Sequence, residues 1–158
     1  MRDEFDYQLG VTWRGNLGSG TSTTRAFSRE VVIEREGKAP LLVSADHRFH
    51  GDPSLLNPEE LLLASLATCH MLSYFYVAVR EGFSVVDYHD EPTAALKLNR
   101  DGGGSITRAE LRPRVTVASA GMINHAVTAH DEASRLCFIR NSVNFPVTIE
   151  PQVAVAAV

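Results

Sequence analysis

The chain has 158 residues, a length that favours one domain, 1–158, with a genuine hydrophobic core. Hydrophobic residues make up 44% and charged residues 22%, the balance of a soluble globular protein and not of a disordered or fibrous one. The net charge of −4, with no basic run, argues against a nucleic-acid surface.

The chain opens M-R-D-E-F-D-Y, charged where a signal peptide needs an apolar core, so a cytoplasmic protein is expected. Residues 6–13, D-Y-Q-L-G-V-T-W, carry strand formers, and R-G-N-L-G-S-G at 14–20 supplies turn chemistry. Strands are expected at 27–34, around V-V-I, and at 40–46, around L-L-V, with E-G-K as the hairpin turn between them. Residues 47–57 read as a loop. The strongest element follows. Asn57 suits an N-cap, Pro58 the first helical position, and Glu60 the reciprocal place of a capping box. The helix should run to about Val79, with Gly82 placed to stop it. Leu61, Leu62, Leu63, Leu66, Met71, Leu72 and Phe75 cover more than one face, so the helix is expected to be buried on most sides or to meet a second chain. Its apolar run, Leu61 to Val79, is interrupted by Thr68, His70 and Ser73, and no membrane span is expected. Residues 83–99 and 105–118 read as strands joined by the turn D-G-G-G-S. A second helix is expected over about 122–136, ending at Cys137, and V-T-I-E-P-Q-V-A-V closes the chain as a strand. This order predicts an α+β fold with antiparallel sheets.

Two cysteines in a reducing compartment are free or catalytic more often than a structural staple. Cys69 and Cys137 form neither a C-x-x-C motif nor a zinc knuckle. Both are compatible with inert core positions, since free cysteine is among the most buried residue types. Both also sit on or beside a helix with ionisable neighbours: His70 next to Cys69, and Arg135 and Arg140 near Cys137. A thiolate near neutral pH needs such surroundings. His70, about 100° away around the helix, reads as a packing residue and not as a base for Cys69. His47 and His50 share a loop, and His125 and His130 are off the i, i+4 spacing that aligns two ligands. Neither a metal nor another cofactor is expected. N-L-G-S-G-T-S lacks the ending of a phosphate loop and reads as a β-turn.

N-P-E-E-L-L-L-A-S-L-A-T-C-H, with a second cysteine after the next long helix, resembles the OsmC/Ohr family of osmotically inducible and organic-hydroperoxide-resistance proteins. W-R-G-N-L-G-S-G-T-S is similar to the opening of an OsmC-like branch, and the element order agrees over nearly the whole chain. The resemblance implies antiparallel sheets packed around two long helices in an intertwined homodimer. It also implies a thiol-dependent peroxidase, with Cys69 peroxidatic and Cys137 resolving. The resemblance then implies an organic peroxide as the substrate, with hydrogen peroxide as a further one, and an external dithiol, often of the dihydrolipoyl type in this family, as the reductant.

Ten residues of helix span about 15 Å, so Glu59 does not reach Cys69 of its own chain along a straight helix. If both belong to one site, the carboxylate comes from the partner. The resemblance also implies an arginine paired with Glu59 to stabilise the thiolate. Arg25 is preferred, then Arg29, with Arg48 and Arg14 as further choices. Glu60 reads as a cap. The alternative is a dimeric redox-sensing or small-ligand-binding module of the same fold. It is kept open by the T-C-H-M and C-F-I-R-N contexts of the two cysteines.

Overall fold

The computed structural model describes residues 4–157; Met1 to Asp3 of the charged opening and Val158 lie outside the described residues. The chain divides between Leu61 and Leu62 into two compact units.

The first unit is a three-stranded antiparallel meander: β1 (Gly10–Trp13), β2 (Val31–Glu34) and β3 (Leu41–Val43). The expected strands are present but shorter. The loop from 14 to 30 is held by backbone bonds, from Arg14 to the Glu30 carbonyl and from Ser28 to the Gly15 carbonyl, and by side chains. Asn16 accepts from the Gly18 and Gly20 amides, and the Trp13 indole donates to the Ser28 carbonyl. Gly15 is required here, because a Cβ would lie 1.9 Å from the Ser28 carbonyl oxygen. The E-G-K turn joins β2 to β3, with Gly37 at φ 75°. In the loop that follows, His47–Phe49 form one 3-10 turn, capped by the Asp46 carboxylate.

Helix α1 (Pro58–Glu81) begins as its sequence dictates. Asn57 accepts from the Glu60 amide while Glu60 accepts from the Asn57 amide, both at 2.9 Å, closing the capping box. Gly82, at φ 77°, ends the helix. By length and mean hydropathy (1.6) alone α1 is apolar enough to cross a membrane. The polar residues that interrupt its apolar run do not change this. Thr68 bonds back to the Ala64 carbonyl, and His70 bonds to a second helix.

The second unit packs α1 from Leu62 onward with β4 (Val85–His89), β5 (Thr93–Leu98), β6 (Gly104–Leu111), β7 (Arg114–Val117), α2 (Ile123–Leu136), α3 (Phe138–Ser142), β8 (Val147–Ile149) and β9 (Gln152–Val155). Its sheets have the orders β4-β7-β9 and β5-β6-β8. Three long strands expected from the sequence are each divided. The breaks fall at Pro92, Pro113 and Pro151, one proline per strand. Proline has no N–H to give to a ladder, so the three breaks form one crease between the sheets. Backbone bonds from Glu150 to the Leu111 carbonyl and from Gln152 to the Pro113 carbonyl stitch it.

The expectation of purely antiparallel sheets is corrected. β4–β7 and β5–β6 are antiparallel, but β7–β9 and β6–β8 are parallel. The cause lies in the connection. Parallel strands need a long crossover, and the segment carrying α2 supplies it between β7 and β8. The helices are also unequal, α1 with 24 residues and α2 with 14.

Two buried clusters divide the core of this unit. One joins Tyr74, Val77 and Ala78 of α1 to Val115 and Val117 of β7 and to Ala126, Ala129 and Ala133 of α2. The other gathers Leu66, Ala109 and Leu111, with Ile139, Phe145 and Val147 against them.

Candidate active site

Helix α2 ends at Cys137, whose extended backbone (φ −71°, ψ 108°) turns the chain into the short helix α3. That change of direction assembles the site. The Cys137 Sγ accepts from the Arg140 amide at 3.4 Å, and the Cys69 Sγ accepts from the Ile139 amide at 3.5 Å. Neighbouring amides of α3 therefore hold sulfurs from α1 and from the end of α2. Both cysteines are free thiols.

Their environments differ. Cys137 is fully buried (0% exposed), whereas Cys69 is half-buried. Burial pushes the Cys137 thiol up to about 11, and the adjacent Cys69 side chain adds to the shift; the Arg140 amide works against it but more weakly. Cys137 is thus a protonated thiol at neutral pH, and Cys69 is the sulfur more open to a reagent arriving from solvent.

A second constellation lies beside the thiols. His70 follows Cys69 on α1, and its Nε2 is 3.0 Å from Nδ1 of His130 on α2. The two side chains are 1% and 3% exposed. The Tyr74 ring stacks on His130 at 4.0 Å, and its hydroxyl donates to the Ala126 carbonyl at 2.9 Å. Burial lowers His70 to about 4, with the Arg140 charge acting in the same direction. Burial lowers His130 to about 3, with His70 adding to it. Both imidazoles are neutral at pH 7. The expectation that His70 is a packing residue holds only in part, since its packing is a polar bond to another helix. His130 carried no role in the sequence reading. One signal was available: His70, Tyr74 and Val77 share one face of α1, and Ala126, His130 and Ala133 share one of α2.

The remaining sequence-predicted residues are placed as follows. Glu59 is on the first turn of α1, ten residues before Cys69 on the same uninterrupted helix. Arg25 is exposed, and Arg29 lies over the Phe27 ring at 4.1 Å while donating to the Phe27 carbonyl. Arg14 lines a groove on the first unit with Glu30 and Glu34, and Arg48 pairs with Asp46. All four arginines and Glu59 belong to the first unit, and both cysteines belong to the second. Arg140, noted in the sequence only as a neighbour of Cys137, is the arginine that the second unit places beside His70 and the thiols. Among the described residues no group of three or more His, Cys, Asp or Glu side chains is arranged to hold a metal ion.

A family profile described as OsmC-like protein matches residues 51–152. Comparison with curated protein sequences gave no match. Among solved structures, an OsmC-like protein of unknown function from Vibrio cholerae is 30% identical with a TM-score of 0.82, covering 94% of this chain and 100% of that one. An organic hydroperoxide resistance protein from Elizabethkingia anophelis superimposes with a TM-score of 0.66 at 16% identity, covering 97% and 99%. The organic hydroperoxide resistance protein OhrB of Bacillus subtilis does so at 0.60 and 20%, covering 92% and 98%. At those identities the last two show a shared fold.

Proposed function

The chain belongs to the OsmC-like family, and from that premise we propose that it is a thiol-dependent peroxidase acting on organic hydroperoxides. The observation that carries the reading is the meeting of two free thiols from separate helices on one backbone turn. The Cys69 thiolate attacks the terminal oxygen of the hydroperoxide, the O–O bond breaks, and the alkoxide leaves as alcohol after taking a proton. Cys69 is then a sulfenic acid. The Cys137 sulfur attacks it, water leaves, and a disulfide remains. A dithiol reductant restores both thiols by exchange and is itself oxidised. The Ile139 amide is a donor to the Cys69 sulfur and fixes where that sulfur sits.

In this proposal Glu59 and an arginine, Arg25 first, assist the thiolate across a homodimer. The support for a partner is apolar surface on the single chain. Leu72 (61%), Tyr76 (61%) and Val79 (83%) form an exposed stripe on α1. A redox-sensing or ligand-binding module is the second reading. It is favoured by the burial of Cys137, which holds that thiol protonated and slows resolution.

One experiment tests both. Consumption of cumene hydroperoxide is followed with a dithiol reductant for the parent, Cys69→Ser and Cys137→Ser. Loss of turnover in both variants, with a trappable sulfenic acid at Cys69 in Cys137→Ser, is the expected result. A parent inactive with monothiols and dithiols alike transfers the proposal to the sensing module.

A further inference from the structure

We infer that the buried His70–His130 pair is a positioning device that holds Cys69 and Cys137 in bonding register; this rests on the proposed thiol-pair chemistry. His70 is the residue after Cys69 on α1. His130 lies two turns before Cys137 on α2, so each histidine is fixed to one of the two sulfurs by rigid helix. Their 3.0 Å bond therefore sets how far α1 is advanced and rotated against the end of α2. A disulfide needs this control, because its sulfurs and Cβ atoms meet only within narrow distances.

At the exposed edge of the contact, about three turns along α1 from Cys69, Arg80 donates to Glu132 of α2 at 3.0 Å; the apolar part of the buried contact sets no register. On α2 the buried residues are Ala126, Ala129, Ala133 and the histidine itself. A face of alanines packs closely but without direction, since apolar burial is insensitive to small slides. The directional links that α1 makes to α2 in this core are the histidine bond and the Tyr74 hydroxyl on the Ala126 carbonyl. The Tyr74 ring stacked on His130 keeps that imidazole from turning.

The pair is also costly. His70 Nδ1 and His130 Nε2 are buried with no hydrogen-bond partner. Whichever ring donates in the shared bond, one outer nitrogen keeps an unused N–H and the other an unused lone pair. Two apolar side chains would avoid that cost. A polar bond kept at this price beside the thiols is accounted for by the register it imposes.

The test uses the full-length reduced protein equilibrated with glutathione redox buffers. The Cys69–Cys137 effective concentration is read from the fraction oxidised by alkylation and mass spectrometry. A glutamine amide reaches where Nε2 lies, and an asparagine amide reaches where Nδ1 lies. His70→Gln and His130→Asn therefore keep the bond, and His70→Asn and His130→Leu lose it. Effective concentrations within about threefold of the parent are expected for the first two. A fall of about tenfold or more is expected for the second two, the scale one directional hydrogen bond supplies. Helical content and alkylation of Cys69 in the dithiol form should be unchanged. A merely structural role lowers thermal stability in all variants without separating these classes. Equal effective concentrations in folded His70→Gln and His70→Asn overturn the inference while leaving the thiol-pair reading intact. A parent that forms no Cys69–Cys137 disulfide overturns both. If His130→Leu does not fold, the His70→Gln and His70→Asn comparison decides alone.

Discussion

The stability of the protein should fall steeply between pH 7 and 5 because of two residues. His70 and His130 titrate near 6.5 when the chain is unfolded, but near 4 and 3 when it is folded. Below pH 6.5 the unfolded chain binds a proton at each site and the folded chain does not, so acid favours unfolding. Stability is full above the unfolded value and is lost as the pH falls toward the folded values. At pH 5 the penalty is about 2 kcal/mol per histidine, and about 4 kcal/mol for the pair. That is a large share of the roughly 5–15 kcal/mol that domains of this size possess. The groups facing the pair reinforce the effect. Arg140 adds positive charge beside His70, and Tyr74, which stacks on His130, offers no negative one at this pH.

Urea denaturation followed by circular dichroism, at half-unit steps from pH 7.5 to 5, measures this directly under reducing conditions. The parent should lose about 4 kcal/mol, and His130→Leu about 2 kcal/mol. The doubly substituted His70→Leu, His130→Leu protein should be nearly flat above pH 5. Equal losses in the parent and the double variant refute the assignment, because the titrating groups then lie elsewhere.

Other consequences are simpler to check. Iodoacetamide at pH 8 should label Cys69 at least about tenfold faster than Cys137, which is buried and protonated, as mass spectrometry of timed samples would show. Asn57→Ala removes one arm of the capping box and should cost about 1 kcal/mol in urea denaturation. Tyr74→Phe should also cost about 1 kcal/mol by the same measurement. The Tyr74 bond is buried, but the Ala126 carbonyl it meets lies within α2, where the helical ladder offers it a second donor. Leu72→Glu with Tyr76→Glu places charge on the exposed stripe of α1 and should weaken the proposed homodimer by about a hundredfold or more. Sedimentation velocity over a concentration series would reveal a monomer; an unchanged dimer places the interface elsewhere.

Local chemistry made parts of this fold readable. Asn57, Pro58 and Glu60 specify a helix start within three residues, and the structure closes both bonds of that box. Gly82 stops α1, and the second helix lies within a residue of its expected bounds. Non-local pairing was harder. The last strands run parallel to their neighbours because a helical crossover precedes them, which alternation within a strand does not encode. The crease was written in Pro92, Pro113 and Pro151, but its meaning depends on the three lying side by side. Helix α3 is five residues long, too short to display a period, although it supplies both amides at the thiols. The histidine pair joins positions sixty residues apart, and neither residue announces the other in sequence.

The two sulfurs illustrate why a motif identifies a site before it explains one. Residues 57–70 mark Cys69 by its place on an apolar helix, and the end of α2 marks Cys137. Nothing in that spacing distinguishes a reactive thiol from a buried spectator. The distinction arises where α3 begins, because one amide is donated to each sulfur while Cys137 is fully buried and Cys69 is not. A thiol held protonated is a poor first nucleophile toward a peroxide, yet it is in place when its neighbour has become electrophilic. In the proposed cycle the order of the sulfurs follows from exposure, and their register from the proposed role of the histidine bond. Reversing the exposure of the two cysteines, and not merely removing either one, is the change that would reverse their roles.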